Sequence, residues 1–403
     1  MVVLGKYNIK ESSVIKEFFR KKSTKIVAII LFSVFFVLSV LTVISIIGYR
    51  KIFNDISKYE RVNSLHNIEI SKDVNGIKTI KNIDNNEGIN VLQLTDTHIG
   101  CSIGTYAKDK AAFDAMYSII SNSKPDLVVV TGDLCYPFFL TLGINNKLQA
   151  QAIAEFFEQV GIYWTLNFGN HEDMGLVYLN AEELGKLFVS YEHCLFEMEE
   201  DDVFGEGNYL IKVLNNDNTF NSGLVFIDTN DYIDGMNKYD RIHDDQIDWY
   251  EKTIKKLASE YDKQTSEINT FLFTHIPIQA YSDAYNDYLL EQDVVYVHGE
   301  IREGICSPDD KDSFFDKVIE LGSTVAIFCG HDHLNTATYL YKGVALSYGM
   351  SIDYLAYIGI HNKKEQRGGQ LIKIKEGNRF SLTQLAQTND YNLGKEYEIT
   401  INN

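Results

Sequence analysis

Half of the ten histidines in this chain fall in short polar clusters: Asp96-Thr97-His98, Gly169-Asn170-His171-Glu172, Thr274-His275-Ile276-Pro277 and Gly330-His331-Asp332-His333. A fifth cluster, Thr131-Gly132-Asp133, carries a carboxylate without an imidazole. A single aspartate or histidine in such a setting is more commonly a cap or a turn residue. Together, these carboxylate, amide and imidazole donors suit a pair of transition-metal ions such as Mn, Fe or Zn, and do not suit Ca, which takes oxygen ligands.

Each cluster follows an apolar run. Residues 89–94, 126–131, 162–168, 223–228, 270–274 and 324–329 read as buried strands, and amphipathic segments at 107–122, 147–160, 180–190, 245–261 and 312–321 read as helices between them. This alternation predicts an α/β layered fold, with the sheet inside and helices outside. In such folds ligands sit beyond the carboxyl ends of strands, where five of these six runs deliver their donors.

In this order, DxH, GD, GNHE, a lone His and GHDH resemble the signature of the calcineurin-like metallophosphoesterase superfamily, over about residues 89–375. The segments GEIREGI (299–305) and LSYGMSIDYLAYIG (346–359) resemble the branch related to purple acid phosphatases. The resemblance implies a two-sheet β-sandwich flanked by helices. It also implies that Asp96, His98 and His333 hold one metal, that Asn170, His275 and His331 hold the other, and that Asp133 bridges them. His171 would face the substrate and, with Asp133, be catalytic. One departure stands out: purple acid phosphatases place a tyrosine ligand in GDxxY and lack the DxH histidine, whereas this chain has both His98 and Tyr136. His98 is the preferred ligand, with Tyr136 near the site or simply a packed aromatic. Asp332 and Glu172 are candidates to support the ligands from behind or to face solvent.

Phosphate esters resist attack because their oxygens are anionic and hydroxide is scarce. Two cations lower the pKa of a shared water toward 7 and clamp the phosphoryl oxygens. Two divalent ions, offset by Asp96, Asp133 and a bridging hydroxide, leave the site at about +1. A general acid such as His171 contributes about 10²- to 10⁴-fold.

The formal charge is −19, unevenly spread: eight Lys or Arg against two Glu give residues 1–50 a net +6, leaving −25 for the remainder. So acidic a body repels polyanions, and nucleic acid is not expected as a partner. Residues 26–48 form a 23-residue run without charge. As a helix it spans roughly 34 Å, enough to cross a hydrocarbon core of about 30 Å. A cleaved signal peptide is the alternative, but its apolar region is shorter and ends in a small-residue site. The seven basic residues before the run favour a cytoplasmic N-terminus. The expected organisation is a basic cytoplasmic segment (1–25), a transmembrane helix (26–48), a juxtamembrane linker (49–88) with a hairpin turning at Asn75-Gly76, and an extracytoplasmic metallophosphoesterase domain (89–403). The five cysteines, odd in number and without metal-binding spacing, read mostly as core residues. There is no phosphate-binding glycine loop and no nucleophile elbow.

The leading expectation is therefore a membrane-anchored, two-metal hydrolase of phosphate esters, by preference monoesters, small or on protein. The alternatives are a phosphodiesterase or nucleotide pyrophosphatase using the same centre, and a catalytically idle metal-binding surface protein.

Overall fold

The computed structural model describes residues 10–84, 88–138, 142–172, 174, 177–198, 203–233, 238–375, 377 and 379–401; residues 1–9 of the basic segment lie outside these. The chain begins with α1 (Lys10–Ile56), β1 (Ile68–Lys72), β2 (Lys78–Asn82), β3 (Asn90–Leu94), α2 (Tyr106–Ser123), β4 (Leu127–Thr131), α3 (Asn146–Val160), β5 (Trp164–Asn167) and α4 (Ala181–Val189). It continues through β6 (Tyr209–Leu214), β7 (Phe220–Phe226), β8 (Tyr232–Ile233), β9 (Lys238–Tyr239), α5 (Asp244–Glu260), β10 (Thr270–Phe273), α6 (Gln279–Leu289), β11 (Val294–His298) and α7 (Phe314–Leu321). It ends with β12 (Thr324–Cys329), β13 (Thr338–Tyr341), β14 (Val344–Tyr348), β15 (Gly368–Ile374), β16 (Arg379–Ala386) and β17 (Glu396–Thr400).

Two sheets form a sandwich. One has nine strands in the order β1-β2-β6-β7-β10-β12-β14-β13-β11, the other six in the order β17-β16-β15-β3-β4-β5. Phe271 of the first packs edge-on against Phe380 of the second, ring centroids 5.4 Å apart. Along β10, Phe271 and Phe273 enter the core between the sheets while Leu272 points to the outer core with Tyr250 and Phe314. Both faces are buried, so period-2 alternation yields an uninterrupted apolar run rather than an apolar–polar one. Helices α5, α6 and α7 cover the nine-stranded sheet, with Tyr281 of α6 donating its hydroxyl to Ile327 O at 2.8 Å. On the other side, Phe157 of α3 stacks on Trp164 of β5.

The expected strands and helices form with small shifts at their ends; the largest is at β7, which starts at Phe220 rather than 223. The hairpin also forms, and β2 pairs parallel with β6, so residues 68–82 of the expected linker extend the nine-stranded sheet. Helix α1 is 47 residues long and contains a segment, Thr24–Ile56, apolar and long enough to cross a membrane. All five cysteines are unpaired: four are buried and Cys306 is exposed.

Two parallel sets position the chemistry. Strands β3, β4 and β5 run parallel in one sheet, and β7, β10, β12 and β14 in the other. The donor clusters extend from the carboxyl ends of β3, β4, β5, β10 and β12, where the sheets draw close. A Cβ on Gly330 would lie 1.9 Å from Thr95 Oγ1, and one on Gly132, at φ +81°, 2.3 Å from the His275 ring. Only glycine fits at either position.

Candidate metal centre

The loops beyond these strands adopt backbone that non-glycine residues avoid. Asp96 (φ 54°), His98 (φ 45°), Asp133 (φ 53°) and His331 (φ 70°) are all left-handed. Such geometry is uncommon outside glycine, though Asp and His adopt it more readily than most residues, and here neighbouring loops hold it in place. Here the loops brace one another: Asp96 N–H donates to Gly132 O at 3.1 Å, His98 N–H to Asp133 O at 3.0 Å, and His331 N–H to Asp96 Oδ2 at 3.2 Å.

The donors gather into two groups that share one residue. Asp96, His98, Asp133 and His333 offer ligand atoms within 4.8 Å of one another, as do Asp133, His275 and His331. The Asp133 carboxylate faces both: Oδ2 is 3.1 Å from His98 Nε2, and Oδ1 is 3.3 Å from His275 Nε2. Asn170 Oδ1 joins the second group at 3.2 Å from His275 Nε2, and His331 Nδ1 lies 3.3 Å from that same nitrogen. In the first group, His333 Nε2 is 3.4 Å from Asp96 Oδ1. Cys306 borders the second group, clustered with His331 and Asp332.

This donor set fits cations. Asp96 Oδ1 is buried and has no hydrogen-bond partner, which is costly unless positive charge faces it. Burial alone would push the Asp133 carboxyl up; the His275 and His171 imidazoles and the hydrogen bonds from His275 and His98 outweigh it and hold it well below the usual range. Burial disfavours charge on His98, yet Asp353 and Asp133 raise it to about 9, and Asp133 and Asp96 raise His275 to about 10 against the same burial. The carboxylates therefore demand positive charge at two places.

His171 stands at the edge of the first group. Its Nε2 is 3.8 Å from Asp133 Oδ2, its backbone N–H donates to Asp133 Oδ1 at 3.1 Å, and its Nδ1 is buried without a partner. Tyr136 packs its ring edge-on against both His98 and His171, with centroids 5.3 Å away in each case. The two other candidates organise loops rather than imidazoles. Glu172 accepts from Leu134 N–H at 2.5 Å and Gly169 N–H at 2.9 Å, tying the β4 loop to the β5 loop, and burial pushes it up to about 8. Asp332 accepts from Tyr348 Oη at 2.7 Å and from Cys306 N–H at 3.2 Å. Glu303 accepts from Leu334 N–H at 2.6 Å and Tyr357 Oη at 2.7 Å, anchoring the 299–305 segment beside the GHDH cluster.

Two supports were not anticipated from the sequence. Asp353, fully buried, lies 3.3 Å from His333 Nδ1 and 3.7 Å from His98 Nδ1, and its Oδ1 accepts from the backbone of Leu355 and Ala356. It sits within the 346–359 segment that carried the finer resemblance, the one available signal for it. Tyr232, on the β8–β9 hairpin, takes Asn170 Nδ2–H on its hydroxyl at 2.9 Å, which leaves Asn170 Oδ1 facing the cluster. His275 is oriented through Nδ1, 2.8 Å from Thr131 O, freeing Nε2 for the centre.

Comparison with known proteins gives the family and the fold. Residues 89–335 match the family model for calcineurin-like phosphoesterases. The chain is 27% identical to "Probable inactive purple acid phosphatase 14" of Arabidopsis thaliana, over 66% of this chain and 71% of that protein. It is 26% identical to Phosphatase DCR2 of Saccharomyces cerevisiae, over 61% of this chain and 44% of that one. The crystal structure of a dimetal phosphatase from Danio rerio superimposes with a TM-score of 0.51 at 10% identity, covering 78% of this chain and all of that one, a likeness of fold.

Proposed function

The chain belongs to the calcineurin-like phosphoesterase family, metal-dependent hydrolases of phosphoric esters, and on that premise we propose that it is a membrane-anchored phosphoesterase with two metal ions. Asp96, His98 and His333 would hold one ion, Asn170, His275 and His331 the other, and Asp133 would be shared between them. The observation that carries this reading is the Asp133 carboxylate, whose two oxygens face two separate donor groups. Transition ions bound there would activate water and neutralise phosphoryl oxygens. The chain's own groups do the rest. Asp133 fixes the distance between the two halves, and His171, which burial keeps neutral, presents one N–H to a phosphoryl or leaving-group oxygen. Phosphomonoesters are the preferred substrates, in keeping with relatives named as purple acid phosphatases. The apolar part of α1 anchors the protein with its N-terminus in the cytoplasm and the catalytic body outside.

The test is turnover of p-nitrophenyl phosphate against its bis ester by the purified, Mn-, Fe- or Zn-loaded protein. A faster monoester is expected; equal or reversed rates would transfer the reading to a phosphodiesterase. A second reading is favoured by three relatives whose names carry the words "Probable inactive". It predicts two bound ions per chain and no turnover of either ester.

A further inference from the structure

The last turns of the apolar stretch in α1 are not free for lipid. Residues 24–40 are exposed, but from Thr42 onward one stripe of the helix docks on the body: Ser45, Ile52 and Ile56 are buried, and a Cβ on Gly48 would fall 2.4 Å from the Ser102 backbone. Thr42 Oγ1 pairs with Tyr178 Oη at 2.6 Å, and Tyr106 Oη donates to Asp55 Oδ2 at 2.7 Å. At about 1.5 Å per residue, a hydrocarbon core of about 30 Å counted from Ile26 ends near Ser45. Thr42 therefore lies within one helical turn of the boundary, and Tyr178 must stand at the membrane surface, where tyrosine is favoured.

The body residues brought there belong to the loops of the metal centre. Ser102 follows His98 by four positions, Tyr178 follows His171 by seven, and the loop after Tyr136 crosses directly over Gly100, since a Cβ on Gly143 would lie 2.1 Å from Gly100 O. Among the described residues, each loop exposes one large apolar side chain: Ile103 (45% exposed), Leu142 (41%) and Tyr178 (46%). Continuity with the apolar helix identifies what covers them. We propose that this part of the rim, on the His98 and His171 side, rests in the headgroup layer, and that the site takes phosphomonoesters carried by membrane amphiphiles. This rests on the anchored phosphoesterase reading and gives that site its substrate class.

The test uses the full chain, metal-loaded, in phosphatidylcholine vesicles containing phosphatidic acid. Phosphate release from the lipid is expected at a kcat/KM at least tenfold above that for glycerol 3-phosphate, the same ester without the acyl chains. The double variant Ile103→Asp with Leu142→Asp should lose about tenfold on the vesicle substrate and nothing on p-nitrophenyl phosphate; aspartate tolerates the left-handed backbone at Leu142 (φ 61°). Equal rates for lipid and glycerol 3-phosphate, or a variant unaffected on vesicles, overturn the proposal. A tryptophan at Ile103 should be quenched by brominated lipid, whereas the buried Trp164 should not, and an unquenched Ile103→Trp overturns the docking independently of catalysis. Absence of p-nitrophenyl phosphate turnover by the parent protein would instead defeat the phosphoesterase reading, and release from vesicles by alkaline carbonate the anchor.

Discussion

The two halves of the metal centre are built from similar imidazoles but supported differently. Around Asp96, the histidines 98 and 333 turn their outer nitrogens toward one buried carboxylate, Asp353. Around His275, the supports are neutral: the Thr131 carbonyl behind His275 and the Tyr232 hydroxyl behind Asn170. Counting Asp133 in both, the first half has three carboxylates within reach and the second has two, Asp133 and the Asp332 that clusters with His331. A carboxylate behind an imidazole raises its basicity as a ligand, whereas a carbonyl mainly sets its orientation. On the proposed two-metal reading, the difference predicts that the first half would hold an ion more firmly and the second would exchange its ion more readily.

Removing the shared residue should break both halves at once. Asp133→Asn is expected to reduce kcat for p-nitrophenyl phosphate by about 10³-fold or more, because the ion pair supplies several kcal/mol of transition-state stabilisation. Bound metal, counted by elemental analysis, should fall in parallel; undiminished activity would defeat the mechanism. Asp353→Asn should break one half only. Its expected signature is an affinity loss of about 10- to 100-fold for one of two ions, read by chelator competition, with the second unchanged. Loss of both ions together would show that the halves are not separable. Tyr232→Phe is the gentler counterpart on the other side, costing about tenfold or less in affinity for the weaker ion.

The smallest effect lies outside both halves and sets a baseline. His298, 3% exposed and pulled down to about 4 by burial, stacks on Tyr397. Because its folded pKa lies below the ordinary value of 6.5, the unfolded chain takes up the proton first, and stability falls as pH drops from about 6.5 to about 4. Urea denaturation of His298→Gln should show a shallower fall over that window, with metal binding at neutral pH unchanged. Parallel curves for the two proteins would remove His298 from the pH dependence.

The sequence made the six strands with both faces buried legible, because runs such as TVAIFC have no polar interruption, and the donors stood at their ends. The strands β15, β16 and β17 were not read because polar residues interrupt their runs (GGQLIKI, RFSLTQLA, EYEIT), although β15 pairs with β16, and β16 with β17, across short connections. The structure brings the seven expected donors close together, since residue type and order narrow what a strand end can supply. Asp353 and Tyr232 escaped because their contributions act through space. An aspartate in Ser-Ile-Asp-Tyr carries no local mark that two histidines, from loops far apart in sequence, will turn toward it. Glu172 was read as a candidate imidazole support, and its actual contacts, two backbone amides of different loops, depend on a tertiary approach no local pattern encodes.

The left-handed backbone at Asp96, His98, Asp133 and His331 carries a consequence for the life of the protein before its ions arrive. Four uncommon conformations concentrated on three loops are held only by hydrogen bonds between those loops, so a newly made chain that has not yet closed them can scatter the donors. Loading with ions would then act as the final clasp of maturation, so a chain exported into a metal-poor surrounding would present open loops to proteases while its two sheets remained intact.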